Sequence, residues 1–305
     1  MDIGIAGLGR MGGNMARRLT RAGVRVVGFD ADADVRRALA AESIVDAATL
    51  ADLVAALPQP RIVWLMVPSG APTEEAIDIV ARSLAPDDLL VDGGNAYYKD
   101  SQRRAEVLAR RRIRFVDCGV SGGVHGLANG YALMFGGADD AAAMLVPYAR
   151  ILAPAPDAGW LHCGPAGAGH FVKMIHNGIE YGMMQALAEG FALMHNRRDL
   201  DLDVAAIAQM WRHGSVLRSW LLDLMSEFLA SDRDLVDIAP VVADSGEGRW
   251  TVQEAVEQGV PAPVLSLALM TRFASQGRDD YASRLLAMMR KSFGGHAVSR
   301  ANKPQ

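Results

Sequence analysis

A change of rhythm near the middle of the chain constrains its fold more than any other feature. Through the first half, short apolar runs at 3–6, 24–29, 62–67, 89–91, 114–116 and 132–135 alternate with helical stretches at 11–22, 33–41, 49–56, 74–84 and 101–112. Strands that alternate with helices predict a mostly parallel sheet with helices on both faces, because each crossover helix lies across the sheet to reach the next strand. One more short strand is predicted at 159–163. The Pro/Gly-rich stretch 153–169 then breaks the pattern, and from 169 to the end the chain reads as helix. The run 168–195 is apolar and free of proline, and at 1.5 Å per residue it would span about 40 Å. Later helices are predicted at 204–213, 219–229, 250–258, 264–276 and 281–290. The expected organisation is an α/β doubly wound domain over 1–165 and an all-α domain over 166–305.

The opening of the chain sharpens the first half. Gly7-Leu8-Gly9-Arg10-Met11-Gly12 comes directly after the first apolar run and opens the first helix, the context in which G-x-G-x-x-G signals a Rossmann-type dinucleotide site. Gly7 permits the tight turn, Gly9 lets the backbone approach a pyrophosphate, and Gly12 lets helix and sheet pack closely. The amides at the helix start then face the phosphates. Asp30 ends the second strand 23 residues after Gly7, about where an acidic residue meets the adenosine ribose hydroxyls. A carboxylate there accepts two hydroxyl hydrogens and repels a 2′-phosphate, and Asp32 and Asp34 add to the repulsion. NAD is therefore expected over NADP; Arg36 and Arg37 are the side chains that could reverse this. The candidate cofactor contacts are Gly7, Leu8, Gly9, Arg10, Met11, Gly12 and Asp30, with Met66, Val67 and Asn95 further along the domain.

Composition narrows the function classes. Half the residues are hydrophobic and the net charge is −4, so a soluble globular chain is expected, with no bulk attraction to nucleic acid or anionic membrane. Any phosphate binding must be local. The first strand is predicted directly after Met1, so no signal peptide is expected, and no apolar run reaches membrane-spanning length. The cytoplasm is the expected compartment, and Cys118 and Cys163 are expected to be reduced thiols. No CxxC or HxxxH spacing appears, so no metal is expected. Lysine stands only at 99, 173, 291 and 303, against 27 arginines among the 31 basic residues. A lysine inside an apolar helix therefore points to chemistry.

Lys173 is such a lysine. In the run 164–181, Lys173, Asn177, Glu180 and Tyr181 are spaced i, i+4, i+7 and i+8, which puts them on one face of a helix otherwise rich in Met, Ile and Leu. His176 borders that face. Lys173 and Glu180 are too far apart for a direct helical ion pair. Partial burial lowers an amine's pKa and raises a carboxyl's, so such a pair can supply a base and an acid near neutral pH.

These residues also carry a family resemblance. The run Gly-His-Phe-Val-Lys-Met-Ile-His-Asn-Gly-Ile-Glu-Tyr at 169–181 resembles the signature of 6-phosphogluconate dehydrogenases. So do Asp92-Gly93-Gly94-Asn95, Gly119-Val120-Ser121-Gly122-Gly123 and Gly248-Arg249-Trp250-Thr251, together with the tail 290–296. The resemblance implies NAD-linked oxidative decarboxylation of 6-phospho-D-gluconate without a metal. By it, Lys173 takes the 3-hydroxyl proton, Glu180 protonates the enediol, and Asn177 holds the hydroxyl and carbonyl oxygen. Asn95, Ser121, Gly122, Gly123 and His176 would bind the sugar acid, and Tyr181 and Arg272 the phosphate. Arg290 and His296 match tail positions that reach a neighbouring subunit's site, so a homodimer or homotetramer is implied.

The chain departs from the pattern in length, lacking the second, repeated half of the helical domain of long members. The region 244–248 also lacks a lysine those members place before Gly-x-Gly, which makes Arg249 a candidate substitute. The nearest alternative is a sibling β-hydroxyacid dehydrogenase of the 3-hydroxyisobutyrate or tartronate semialdehyde type, which does not decarboxylate. Glu180-Tyr181, His176 and the Arg290/His296 tail favour the phosphorylated substrate. A non-catalytic NAD-binding sensor would not need Lys173, Asn177 and Glu180 together.

Overall fold

The computed structural model describes residues 1–278, 280–294 and 297. The chain opens with β1 (Asp2–Ala6), α1 (Arg10–Arg21), β2 (Arg25–Phe29), α2 (Ala33–Ala40), β3 (Val45–Asp46) and α3 (Leu50–Ala55). It continues with β4 (Ile62–Leu65), α4 (Ala71–Ser83), β5 (Leu89–Asp92), α5 (Tyr98–Ala109), β6 (Arg114–Ser121) and α6 (Gly126–Asn129). β7 (Ala132–Gly137), α7 (Asp139–Leu152) and β8 (Trp160–Gly164) complete an eight-stranded sheet in the order β3-β2-β1-β4-β5-β6-β7-β8. Neighbouring strands are parallel except β6 and β7.

Side chains alternate across a strand, and here both faces are buried. Ile3, Ile5, Val26, Trp64, Leu89 and Val91 pack on one side with Met15 and Leu19 of α1 and Leu145 and Leu152 of α7. Val27, Val63, Leu65 and Leu90 pack on the other with Leu53 of α3, Ile77 and Val80 of α4, and Leu108 of α5. Each fully buried Leu, Ile or Val contributes about 1.5–3 kcal/mol, so the two layers lock the strand ends in register. This is the doubly wound α/β domain expected from the alternation.

The second half is helical: α8 (Ala168–Asn196), α9 (Val204–Trp211), α10 (Trp220–Ser231), α11 (Glu247–Gln258), α12 (Pro263–Ser275) and α13 (Asp280–Gly294). Phe191, Val204, Ala208, Leu222 and Leu229 form one core, joining the end of α8 to α9 and α10. Tyr181, Ala268 and Leu269 form a second, between α8 and α12. Packing divides the chain into Met1–His176 and Asn177–Gln305, so the division falls within α8.

Three elements differ from the sequence reading. β6 runs to Ser121 rather than stopping at 116, because Asp117 and Gly119 interrupt its apolar pattern although they pair with β7. α7 is a full helix around Pro147, a residue that argues against helix by removing one backbone donor. β3 has only two residues, too few for a pattern. The methionine pairs 183/184 and 288/289 are exposed, with Met289 at 53% and Met183 at 42%. Trp220 is likewise exposed.

Candidate active site

The sheet order places a topological switch point at β1. β1 lies between β2 and β4, and ligands of open α/β sheets bind at the carboxyl ends of strands at such a switch point. The glycine loop leaves β1 there. Gly7 has a left-handed φ of 91° and its N–H donates to the Phe29 carbonyl at 2.8 Å. A Cβ on Gly7 would stand 2.5 Å from the Met66 carbonyl oxygen, and one on Gly12 would collide with the Gly7 carbonyl oxygen. Both glycines are thus required by packing.

Gly9 is different. A Cβ there would meet nothing within 4 Å, and its φ of −60° suits any residue. Gly9 precedes α1, and among the described residues no side chain caps the first turn, which has no acidic residue. Open space, uncapped amides and the positive end of the helix dipole form a cradle suited to a pyrophosphate. Leu8, Arg10 and Met11 line this turn, and Met66 and Val67 continue from β4 across the switch point, the Met66 N–H donating to the Ala6 carbonyl at 2.7 Å.

Asp30 stands at the lip of the cradle. Its Oδ2 accepts the Leu8 N–H at 2.7 Å and its Oδ1 the Asp32 N–H at 2.9 Å, so it braces the loop. A carboxylate offers about four acceptor positions, so capacity remains for hydroxyl donors. Arg36 bonds Asp46 Oδ1 at 3.0 Å and the Asp30 carbonyl at 2.6 Å, and Arg37 pairs with Asp34.

Further along the sheet the ends of β5 and β6 are tied together. Asn95 has a left-handed φ of 52°, tolerated by Asn at modest cost. Its side-chain amide donates to the Val120 carbonyl at 3.2 Å and accepts the Val120 N–H at 3.0 Å. Asn95 is thereby brought beside Ser121, Gly122 and Gly123; the two glycines have φ of 130° and 52°. Lys173 is 5% exposed and lies against the same strand, since a Cβ on Gly119 would overlap its Cβ. Lys173, Ser121 and Asn95 therefore converge at the ends of β5 and β6.

From Lys173, α8 continues without a break through His176, Asn177, Glu180 and Tyr181. The 1.5 Å rise puts Glu180 about 10 Å beyond Lys173 along the axis. α11 packs closely on this stretch: a Cβ on Gly178 would come 2.6 Å from Thr251, and one on Gly248 would come 2.5 Å from the Tyr181 ring. The Gly248–Thr251 motif is thus a packing surface for α8. Tyr181 is buried, and its hydroxyl lies 3.3 Å from Asp244 Oδ1 and 3.1 Å from Ser245 Oγ. Arg272 stacks on the Tyr181 ring at 3.4 Å and donates to the Ala243 carbonyl at 2.9 Å. Arg249 pairs with Asp244 and covers Phe273 at 4.8 Å. Burial pushes the Asp244 carboxyl up, but the hydrogen bonds and charge of Arg249 and the Gly246 N–H outweigh it and hold it below the usual range. Tyr181, Arg249 and Arg272 are thus gathered around one segment. Arg290 lies exposed on α13, and His296 lies outside the described residues.

Sequence reasoning missed three buried groups. Asp92 at the end of β5 pairs with Arg104 at 2.7 Å, and Arg104 also reaches Glu74 at 2.7 Å. Ser101 Oγ lies 2.7 Å from His170 Nδ1. Asp117 bonds the start of α8. For Asp92 and Asp117 the local signal was an acidic residue in an apolar strand, and the partners of all three groups are set by the fold. Among the described residues, no three His, Cys, Asp or Glu side chains come together to hold a metal, and no helix is long and apolar enough to cross a membrane. Both cysteines are free.

Fold and site together define a nucleotide-binding dehydrogenase with a helical second half. Residues 2–154 match the NAD binding domain of 6-phosphogluconate dehydrogenase, and residues 169–304 match the 6-phosphogluconate dehydrogenase C-terminal domain. The chain belongs to the 6-phosphogluconate dehydrogenase family. It is 43% identical over 301 residues to an NAD(+)-dependent, decarboxylating 6-phosphogluconate dehydrogenase of Haloferax volcanii, covering 98% of this chain and 99% of that protein. An NAD(+)-dependent, decarboxylating enzyme of Bacillus subtilis is 33% identical; the match covers 92% of this chain but 62% of that longer protein. Among solved structures, Plasmodium falciparum 6-phosphogluconate dehydrogenase, studied with NADP+ and with 6-phosphogluconate, aligns with a TM-score of 0.83 at 27% identity, covering 100% of this chain and 67% of that one.

Proposed function

We propose that the chain oxidises 6-phospho-D-gluconate with NAD and releases D-ribulose 5-phosphate and CO2. The observation that carries this reading is the buried Lys173, set against β6 on a helix that carries Asn177 and Glu180 one and two turns further on. Residues 1–165 form the nucleotide-binding domain, which also lends side chains to the sugar acid, and 166–305 form the substrate and assembly domain.

NAD supplies the hydride acceptor at C3. The Lys173 amine takes the 3-hydroxyl proton, and the resulting ammonium steadies the new carbonyl oxygen, which draws electrons from the bond to the leaving carboxylate. Glu180 gives a proton to the carbon that lost CO2, and a proton passed from Lys173 to Glu180 resets both groups. Asn177 holds the reacting oxygen. Asn95, Ser121, Gly122, Gly123 and His176 hold the sugar acid. Tyr181, Arg249 and Arg272 receive the phosphate, with Arg249 exchanging Asp244 for it. The preference for NAD is supported by Asp30 at the lip of the cradle and by Arg36 being committed to Asp46. Arg290 and His296 are assigned to the neighbouring subunit's site in a homodimer or homotetramer.

The test is turnover of 6-phosphogluconate with NAD and NADP in parallel, measuring reduced cofactor and CO2 together. Equal amounts of both, formed faster with NAD, are expected. Faster turnover with NADP would overturn the role of Asp30 alone. Oxidation of a small unphosphorylated 3-hydroxy acid without CO2 would move the chain to the sibling dehydrogenases and leave Glu180 without its task.

A further inference from the structure

The start of α8 sits in a socket that none of the roles above uses. Asp117 lies in β6, paired with Gly136 of β7, and is fully buried. Its Oδ1 accepts the Gly167 N–H at 2.6 Å and its Oδ2 the His170 N–H at 2.7 Å. These amides belong to the group that a helix beginning at Ala168 leaves without intrahelical partners. A carboxylate there also meets the positive end of the helix dipole, which offsets the loss of water.

The sheet around this carboxylate lacks side chains. A Cβ on Gly136 would come 2.5 Å from Asp117 Oδ1 and 2.6 Å from the Gly169 nitrogen. Two residues along the same face of β6, Gly119 leaves the space that the Lys173 stem fills. The Ser101–His170 contact at 2.7 Å ties the same helical turn to α5.

We propose that Asp117 is a positioning residue for Lys173: its carboxylate pins the first turn of α8 to β6, and Gly119 lets the helix settle until Lys173 stands against the strand. The inference rests on the reading of Lys173 as proton acceptor. That amine must come within hydrogen-bond reach of a hydroxyl, and a misplacement of about 1 Å can cost about 100-fold in rate.

Two variants approach the socket from opposite sides. Asp117→Asn keeps the volume but loses one acceptor, whereas Gly119→Ala keeps the carboxylate and fills the space beneath Lys173. Each is compared with the intact enzyme and with Lys173→Ala, measuring kcat, both KM values and the fraction folded. Per folded molecule, kcat is expected to fall by about 10- to 100-fold in both, with KM for NAD changed by less than about threefold because the glycine loop lies at the end of β1. Wild-type kcat per folded molecule in both variants overturns the proposal. If Asp117→Asn does not fold, Gly119→Ala decides alone. A Lys173→Ala enzyme with full activity overturns the reading of Lys173 itself, a result that can be told apart from failure of the Asp117 proposal.

Discussion

Gly9 and Gly12 stand three residues apart in one motif and are glycine for different reasons. A methyl on Gly12 would be driven into the Gly7 carbonyl oxygen, whereas one on Gly9 would meet no protein atom within 4 Å. Gly12→Ala is therefore expected to destabilise the fold by about 1–3 kcal/mol, seen as a lower midpoint in thermal unfolding. Gly9→Ala is expected to leave that midpoint in place and to weaken NAD binding about tenfold or more, because the methyl enters the space assigned to the pyrophosphate. Unchanged NAD affinity in Gly9→Ala would take the phosphate site away from this loop. The glycine pattern itself was legible in the sequence. The motif also assigned Gly9 to close backbone approach and Gly12 to packing, and the neighbouring atoms add the distances that separate the two.

At the scale of elements, three are joined by one buried cation. Arg104 on α5 is almost wholly buried and bridges Asp92 at the end of β5 and Glu74 on α4. Asp92→Ala would leave Arg104 with the partly exposed Glu74 alone. A loss of about 3–5 kcal/mol is expected, measurable by urea unfolding, because a buried charge would lose its buried partner. Burial pushes the Glu74 carboxyl up, but its hydrogen bonds and charge interactions with Arg104 and Arg103 prevail and hold it below its ordinary value of 4.5. A lowered folded-state pKa means stability that is present above 4.5 and lost as the pH falls through the folded value. Glu74→Gln is expected to flatten the acid side of the stability profile; an unchanged slope would remove Glu74 from the acid response. Arginine abundance was visible in the sequence, but nothing there separated Arg104 from the 26 other arginines. Elements of strong local period, such as β1, β4 and α8, were readable. β6 was cut short because Asp117 and Gly119 do not look like strand residues until β7 lies beside them.

At the scale of the whole molecule, α13 points to assembly. Leu286 and Met289 are each more than half exposed on this helix, and Leu285 and Met288 nearly so. Contiguous exposed apolar surface of this kind marks an interaction site. Sedimentation is expected to show a dimer or tetramer, and Leu286→Glu combined with Met289→Glu is expected to shift it toward monomer. The same variant should lose at least about tenfold in kcat/KM for the sugar acid, if the tail completes a neighbour's site, at a cost of about 1.4 kcal/mol. A fully active wild-type monomer would overturn the assembly. The sequence alone determined the alternation of strands and helices, the glycine loop and the polar face of α8, because period, turn chemistry and helical spacing are local properties. Only the tertiary structure decided which charges are buried and what satisfies them. Asp117 meets amides 50 and 53 residues away, and such pairings arise only when sheet and helix have packed and excluded water.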